Sequence, residues 1–154
     1  MTGGVYGPSF RFRLERVRRV HAHGEQVAQQ QLAGALTRRD GAAAELMAAD
    51  AIAGGARSAK LAAGERPQSA LELQSHQAWL ERTEQARTVV ADSLNRHERE
   101  VTRRQAALTV AARDKKALDR LEARRRREFD VAAARREALI TDEVALNVFR
   151  GNAA

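Results

Sequence analysis

Residues 71–150 read LELQSHQAWLERTEQARTVVADSLNRHEREVTRRQAALTVAARDKKALDRLEARRRREFDVAAARREALITDEVALNVFR, with neither glycine nor proline. Alanine, leucine, arginine and glutamate dominate the stretch, and these residues give up little freedom in a helix. One continuous helix is therefore predicted, several times longer than a compact domain of this chain length is wide. It cannot be wrapped into a sphere. Its start is marked by Ser69-Ala70-Leu71-Glu72, where the serine hydroxyl can accept the third helical N–H and the glutamate can reach back to the serine N–H. Its end is marked by Gly151, which can adopt a left-handed cap without a Cβ clash.

Within that stretch a seven-residue repeat places Leu73, Leu80, Arg87, Leu94, Val101, Leu108 and Lys115 on one seam row. Three residues on, His76, Thr83, Val90, His97, Arg104, Ala111 and Leu118 make the second row. These are the a and d positions of a coiled coil, diluted by polar residues. After Leu118 the apolar positions Phe129 and Ile140 follow at intervals of eleven, which should relax the supercoil.

Outward toward the N-terminus, Gly64-Glu65-Arg66-Pro67 breaks helical geometry just before the capping box. Before it, Phe10, Leu14, Val17, Val20, Val27, Leu32, Leu36, Ala43, Leu46 and Ala53 recur at helical spacing and outline a first amphipathic helix. Gly24, Gly34 and Gly41 weaken this helix, and Gly54-Gly55 is a candidate end or bend. Met1 to Ser9, with three glycines and Pro8, reads as a disordered tail. The expected organisation is a tail over 1–9, a first helix over 10–61, a connection over 62–69 and a second helix over 70–150. A connection this short joins antiparallel neighbours. The predicted fold is all-α: a single elongated domain, a long antiparallel two-helix coiled-coil hairpin whose second helix is the longer. Counting outward from a bend near residue 66, the region after Glu122 should lack an intramolecular partner, and its apolar face would be a docking surface.

Composition agrees with a thin seam. Aromatics are 4% and much of the 44% hydrophobic content is alanine, so bulky core-forming groups are scarce. With no cysteine there is no disulfide or thiolate metal site, which suits a cytosolic protein. No apolar run approaches the length of a membrane span, and the N-terminus lacks a signal peptide's apolar centre. Twenty-seven Lys and Arg against 20 Asp and Glu give +7, which points toward acidic partners without choosing among nucleic acid, anionic lipid and protein.

No catalytic set is present, and no enzyme activity or cofactor is expected. There is no phosphate-cradling glycine loop followed by lysine and serine or threonine. His21 and His23 are two apart and face different sides of a helix. His76 and His97 share the d row and read as polar residues that fix register before they read as ligands. Arg124-Arg125-Arg126-Arg127 is a basic surface for an acidic partner or a solvated helix face supported by Glu122–Arg126 pairing. Asp92–Arg96 and Glu100–Arg104 have the same i,i+4 spacing. Specific nucleic-acid binding is disfavoured because no stacking aromatics accompany the arginines. Trp79, on the seam's shoulder, is either a flank that shields the seam or a contact anchor.

The opening Phe10-Arg11-Phe12-Arg13-Leu14-Glu15-Arg16-Val17, the two-helix layout and the closing Thr141-Asp142-Glu143-Val144-Ala145-Leu146 resemble the FliJ family of the bacterial flagellar export apparatus. The resemblance spans Phe10 to Phe149. It implies a cytoplasmic coiled-coil stalk at the flagellar base, peripheral to the inner face of the membrane through its partners, in type III protein export for motility. It further implies that the end carrying both termini binds the FliI export ATPase, that the hairpin-tip side meets the export gate protein FlhA, and that the protein escorts export chaperones. The ATPase-facing set would be Phe10, Phe12, Leu14, Val17, Leu139, Asp142, Glu143, Ala145 and Leu146. The gate-facing set would be Ile52, Trp79, Thr83, Ala86 and Val90, with Thr83 and Val90 standing where the family pattern leads one to expect leucine and histidine. The rival readings are a basic coiled coil associated with nucleic acid or ribosomes, and a homo-oligomeric scaffold unrelated to motility.

Overall fold

The computed structural model describes residues 9–152, with side chains described through Arg150. The tail expected over 1–9 lies, Ser9 apart, outside the described residues. The chain forms two helices, α1 (Glu15–Gly64) and α2 (Ala70–Asn152). It is an all-α antiparallel two-helix hairpin whose second helix is the longer.

Helix α1 begins at Glu15, five residues later than Phe10, because Phe10-Arg11-Phe12-Arg13 alternates with a period of two and not of 3.6. Both phenylalanines are half-buried and both arginines exposed, the pattern of an extended segment laid against a surface. A turn closed by the Glu15 N–H to the Phe12 carbonyl (3.2 Å) then admits the helix, whose first residue carries a carboxylate at the positive end of the dipole. At its far end α1 runs through Gly54 and Gly55 to Gly64, so the glycine pair neither ends nor breaks the helix. Ala53 and Ala56, on either side of the pair, are completely buried, and this packing outweighs glycine's poor propensity. Glu65 and Arg66 donate to the carbonyls of Ala62 and Ala63, tightening the last turn before Pro67.

The capping box of α2 forms as its sequence predicts. The Ser69 N–H donates to the Glu72 carboxylate at 2.8 Å, and the Glu72 N–H donates to the Ser69 hydroxyl at 3.3 Å. The left-handed cap at Gly151 does not form, because α2 continues through it to Asn152. Glycine in helical geometry costs only about 1 kcal/mol, which a helix of this length absorbs.

Packing divides the chain into a terminal unit, Met1–Glu25 with Ala111–Ala154, and a turn unit, Gln26–Val110. In the turn unit Arg57 pairs with Glu84, Asp50 with Arg87, and Gln31 accepts from Arg104 at 2.7 Å. As one number falls the other rises, so the pairing is antiparallel. Both heptad rows of α2 in this unit are half-buried or buried, except Leu73 at 44% exposed.

The matching row of α1 is Ala28, Ala35, Ala42, Ala49, Ala56 and Ala63, alanine at every seventh residue. All but the half-buried Ala49 are buried, and every buried apolar side chain among the described residues is an alanine. By the register of the ion pairs, Ala35 stands level with Arg104, Ala42 with His97 and Ala56 with Thr83. Each of these d residues of α2 thus stands level with an alanine, whose small size leaves it room in the seam, and Arg104 reaches past Ala35 to Gln31. Gly41, Gly54 and Gly55 have nothing within 4 Å of where a Cβ would stand. Replacing each by alanine is expected to stabilise the protein by up to about 1 kcal/mol, read as a rise in the thermal midpoint.

Candidate functional site

In the terminal unit the inner edge of α1 is polar. Val17 and Val20, expected in the apolar stripe, are 42% and 69% exposed, and the inward positions are Arg18, His21 and Glu25. Arg18 donates to Glu15 at 2.9 Å and faces Glu122 at 3.4 Å and Asp119 at 3.6 Å. Lys115 pairs with Glu25 at 2.8 Å, and His21 lies 4.0 Å from Asp114. The Glu122–Arg126 pair does not form because Glu122 faces Arg18, whereas Glu100–Arg104 does form at 2.6 Å. Asp92 and Arg96 are not among the ion pairs of the described residues, although both line one shallow groove.

Hydrogen bonds from Arg18, then Arg19, hold the Glu15 carboxyl down at about 2, against an ordinary value of 4.5. Its folded pKa is the depressed one, so its contribution is complete above about pH 4.5 and is lost as pH falls toward 2. The thermal midpoint of the wild-type chain should exceed that of Glu15→Gln by a constant margin from pH 7 to about 5, and the two should converge by about pH 2. A margin that persisted unchanged at pH 2 would remove Glu15 from the account.

Beyond Arg18 the extended segment lies on α2. The Phe10 and Phe129 rings stand 5.7 Å apart at 57°, within the geometry of a tilted aromatic pair. Phe10, Phe12, Leu14, Leu121 and Phe129, rimmed by Arg11, Arg13, Arg125 and Glu128, line an open groove of about 860 Å³. Half-burial of α2 continues through Ala133, so the uncovered length starts at residue 134 and not after Glu122. The turn is centred beyond residue 66, since α1 runs on to Gly64, and Arg18 and Glu25 accordingly face Asp119, Glu122 and Lys115, several positions further along α2 than a bend at 66 would place them.

From 134 to 150 every residue is exposed. Leu139, Ile140, Val144, Leu146, Val148 and Phe149 are between 55% and 74% exposed. At about 100° per residue these side chains point all round α2, so this is a helix end apolar on every side, not a single stripe. Asp142 and Glu143 interrupt it. Leu139, Asp142, Glu143, Ala145 and Leu146 share this end, whereas Phe10, Phe12, Leu14 and Val17 lie in or beside the extended segment, with Leu14 39% exposed.

In the turn unit Trp79 is 39% and Ile52 56% exposed, and Ala86 is exposed. Thr83, only 9% exposed, donates from Oγ1 to the Leu80 carbonyl at 2.9 Å within the seam, and Val90 is half-buried there. Trp79 and Ala86, one heptad apart, flank these two. Of the four consecutive arginines, Arg124 and Arg125 both bond Glu128 at 3.0 Å, and Arg127 donates to the Ala123 carbonyl at 3.3 Å. No group of three or more His, Asp or Glu gathers in metal-holding geometry among the described residues. No described helix is long and apolar enough to cross a membrane.

Sequence reasoning missed the inward Arg18 and the extended Phe-Arg-Phe-Arg segment, whose period of two was the available signal. Compared with known proteins, the chain matched no curated protein and no solved structure. A family model described as "Flagellar FliJ protein" matches residues 10–154, taking in both helices, their connection and the apolar end of α2. The resemblance carried by Phe10–Val17 and Thr141–Leu146 is thereby confirmed, and the chain belongs to the flagellar FliJ protein family, a component of the flagellar export apparatus.

Proposed function

We propose that this protein couples the export ATPase FliI to the export gate protein FlhA and escorts export chaperones, acting in the cytoplasm at the inner face of the membrane. It performs no chemistry of its own in this reading and works by carrying a docking event from one contact to another. The observation that carries the reading is the end of α2, where six large apolar side chains are more than half exposed and point to all sides. The ATPase-facing surface comprises Leu139, Asp142, Glu143, Ala145 and Leu146, supported by Phe10, Phe12, Leu14 and Val17. The gate-facing surface is Trp79, Ala86 and Ile52, with Thr83 and Val90 fixing the helix behind them. A large aromatic left 39% exposed at the seam's shoulder suits an anchor residue.

The test is direct binding of the purified full chain to the export ATPase and, separately, to the cytoplasmic part of the gate protein. Micromolar or tighter binding to both is expected. Trp79→Ala should weaken gate binding about tenfold and leave ATPase binding alone. Failure of the wild-type chain to bind either protein would overturn the coupling role.

A further inference from the structure

The chain's net charge is confined almost entirely to one unit. Met1–Glu25 with Ala111–Ala154 holds sixteen Lys and Arg against ten Asp and Glu, a formal +6, whereas Gln26–Val110 holds eleven against ten, +1. Pairing inside the terminal unit leaves much of this charge free. Arg18 and Lys115 face carboxylates, and Arg124 and Arg125 share Glu128. Arg120, Arg126, Arg127, Arg135 and Arg136 are exposed and enter none of the ion pairs of the described residues. At about 100° per residue these five point round α2 rather than to one side, and the apolar end begins at Leu139, within one turn of Arg136.

That distribution separates the anionic partners. A bilayer is flat at this scale and meets one side of a helix, leaving the other cations in water. Single-stranded nucleic acid is held by a succession of exposed aromatic rings, but Phe10 and Phe129 are paired with each other in a tilted contact, Phe12 is half-buried beside them, and the exposed Phe149 stands alone, thirteen residues beyond Arg136. A concave protein surface bearing carboxylates can reach cations on several sides of one helix at once.

We propose that Arg120, Arg126, Arg127, Arg135 and Arg136 form a collar that seats against an acidic surface of the export ATPase, next to the apolar end of α2. This rests on the proposed reading of the ATPase as a partner and adds what that partner must present. The two zones do different work. The collar attracts over a Debye length and sets the encounter rate, while the apolar end, buried only on docking, sets the residence time.

The experiment is association and dissociation kinetics of the full chain on the purified export ATPase at increasing salt. Wild type is compared with the quadruple variant Arg120→Gln, Arg127→Gln, Arg135→Gln and Arg136→Gln, and with the same four positions as lysine. Glutamine and lysine are helix formers nearly as good as arginine, and circular dichroism checks that helicity is retained. The glutamine variant is expected to associate about tenfold more slowly at ~0.05 M salt, with the deficit gone by ~0.5 M and the dissociation rate little changed. The lysine variant should keep most of the wild-type rate. Wild-type binding that the glutamine variant reproduces at every salt concentration overturns the collar and leaves the ATPase reading intact. No binding by the wild-type chain overturns both. Collar-dependent capture by phosphatidylglycerol vesicles, with ATPase kinetics unaffected by the variant, also overturns the proposal.

Discussion

A chain carrying Leu139→Gln and Leu146→Gln is expected to bind the export ATPase roughly 100-fold more weakly than wild type while melting at the same temperature. The two leucines are one heptad apart on α2, and both are more than half exposed, so neither contributes much to holding the hairpin. Burying the exposed part of a leucine against a partner is worth about 1–2 kcal/mol, and two of them approach 3 kcal/mol, or about two powers of ten in affinity. Glutamine preserves the helix and removes the apolar gain. Leu61→Gln is the control, because Leu61 is 74% exposed and belongs to the turn unit. It should leave ATPase affinity unchanged. Titration by calorimetry or interferometry decides the matter, and equal affinities for the double variant and wild type would move the ATPase contact away from this end.

Replacing Ala56 with leucine is expected to destabilise the protein by about 1–3 kcal/mol, although leucine is apolar and an excellent helix former. Ala56 is completely buried on the alanine row, and three extra carbons there must either push α1 off α2 or force neighbouring side chains from their rotamers. For a chain of this size that is a fall in thermal midpoint of roughly 3–10 °C. Ala48→Leu makes the same chemical change at an exposed position of the same helix and should be nearly neutral. Similar losses at both sites would mean that the close approach of the helices is not what the alanines provide.

The contrast explains how far the fold could be read from the residues. Leu80, Leu94, Val101 and Leu108 announce the seam of α2 because their bulk stands out at a fixed interval. The most deeply buried row of α1 is built from alanine, the residue that also fills its outer face, so the row from Ala28 to Ala63 is invisible to a search for large apolar groups. Of the bulky stripe, Val27, Leu32, Leu36 and Leu46 do lie half-buried in the packed surface, whereas Val17 and Val20, nearer the start of α1, lie outside it. Helix ends are set locally. Gly54 and Gly55 are poor helix formers, yet the helix expected over 10–61 passes through them, and α1 does so with Ala53 and Ala56 buried on either side.

The candidate surfaces divide in the same way. An apolar end without a partner could be anticipated from the unequal helices, but its starting point depended on a register that no single residue announces. The heptad repeat already places Thr83 in the seam, where it is 9% exposed, and it is the gate-facing set implied by the resemblance that would have it on the surface. Arg126 lost its expected partner because Glu122 faces Arg18, a residue far away in sequence. The grouping of free cations also required the fold, because Arg120 and Arg136 belong to one set only by their place on α2.

The alanine row has a last consequence for how the two helices can change over time. A methyl group level with His97 and with Arg104 means that on this row of the seam the larger residue stands on α2. Enlarging Ala42 requires something smaller at His97, and trimming His97 opens a gap that a larger residue at position 42 could refill. The two sites should therefore vary as a couple, and a double-mutant cycle across them should be strongly non-additive where either change alone is harmful.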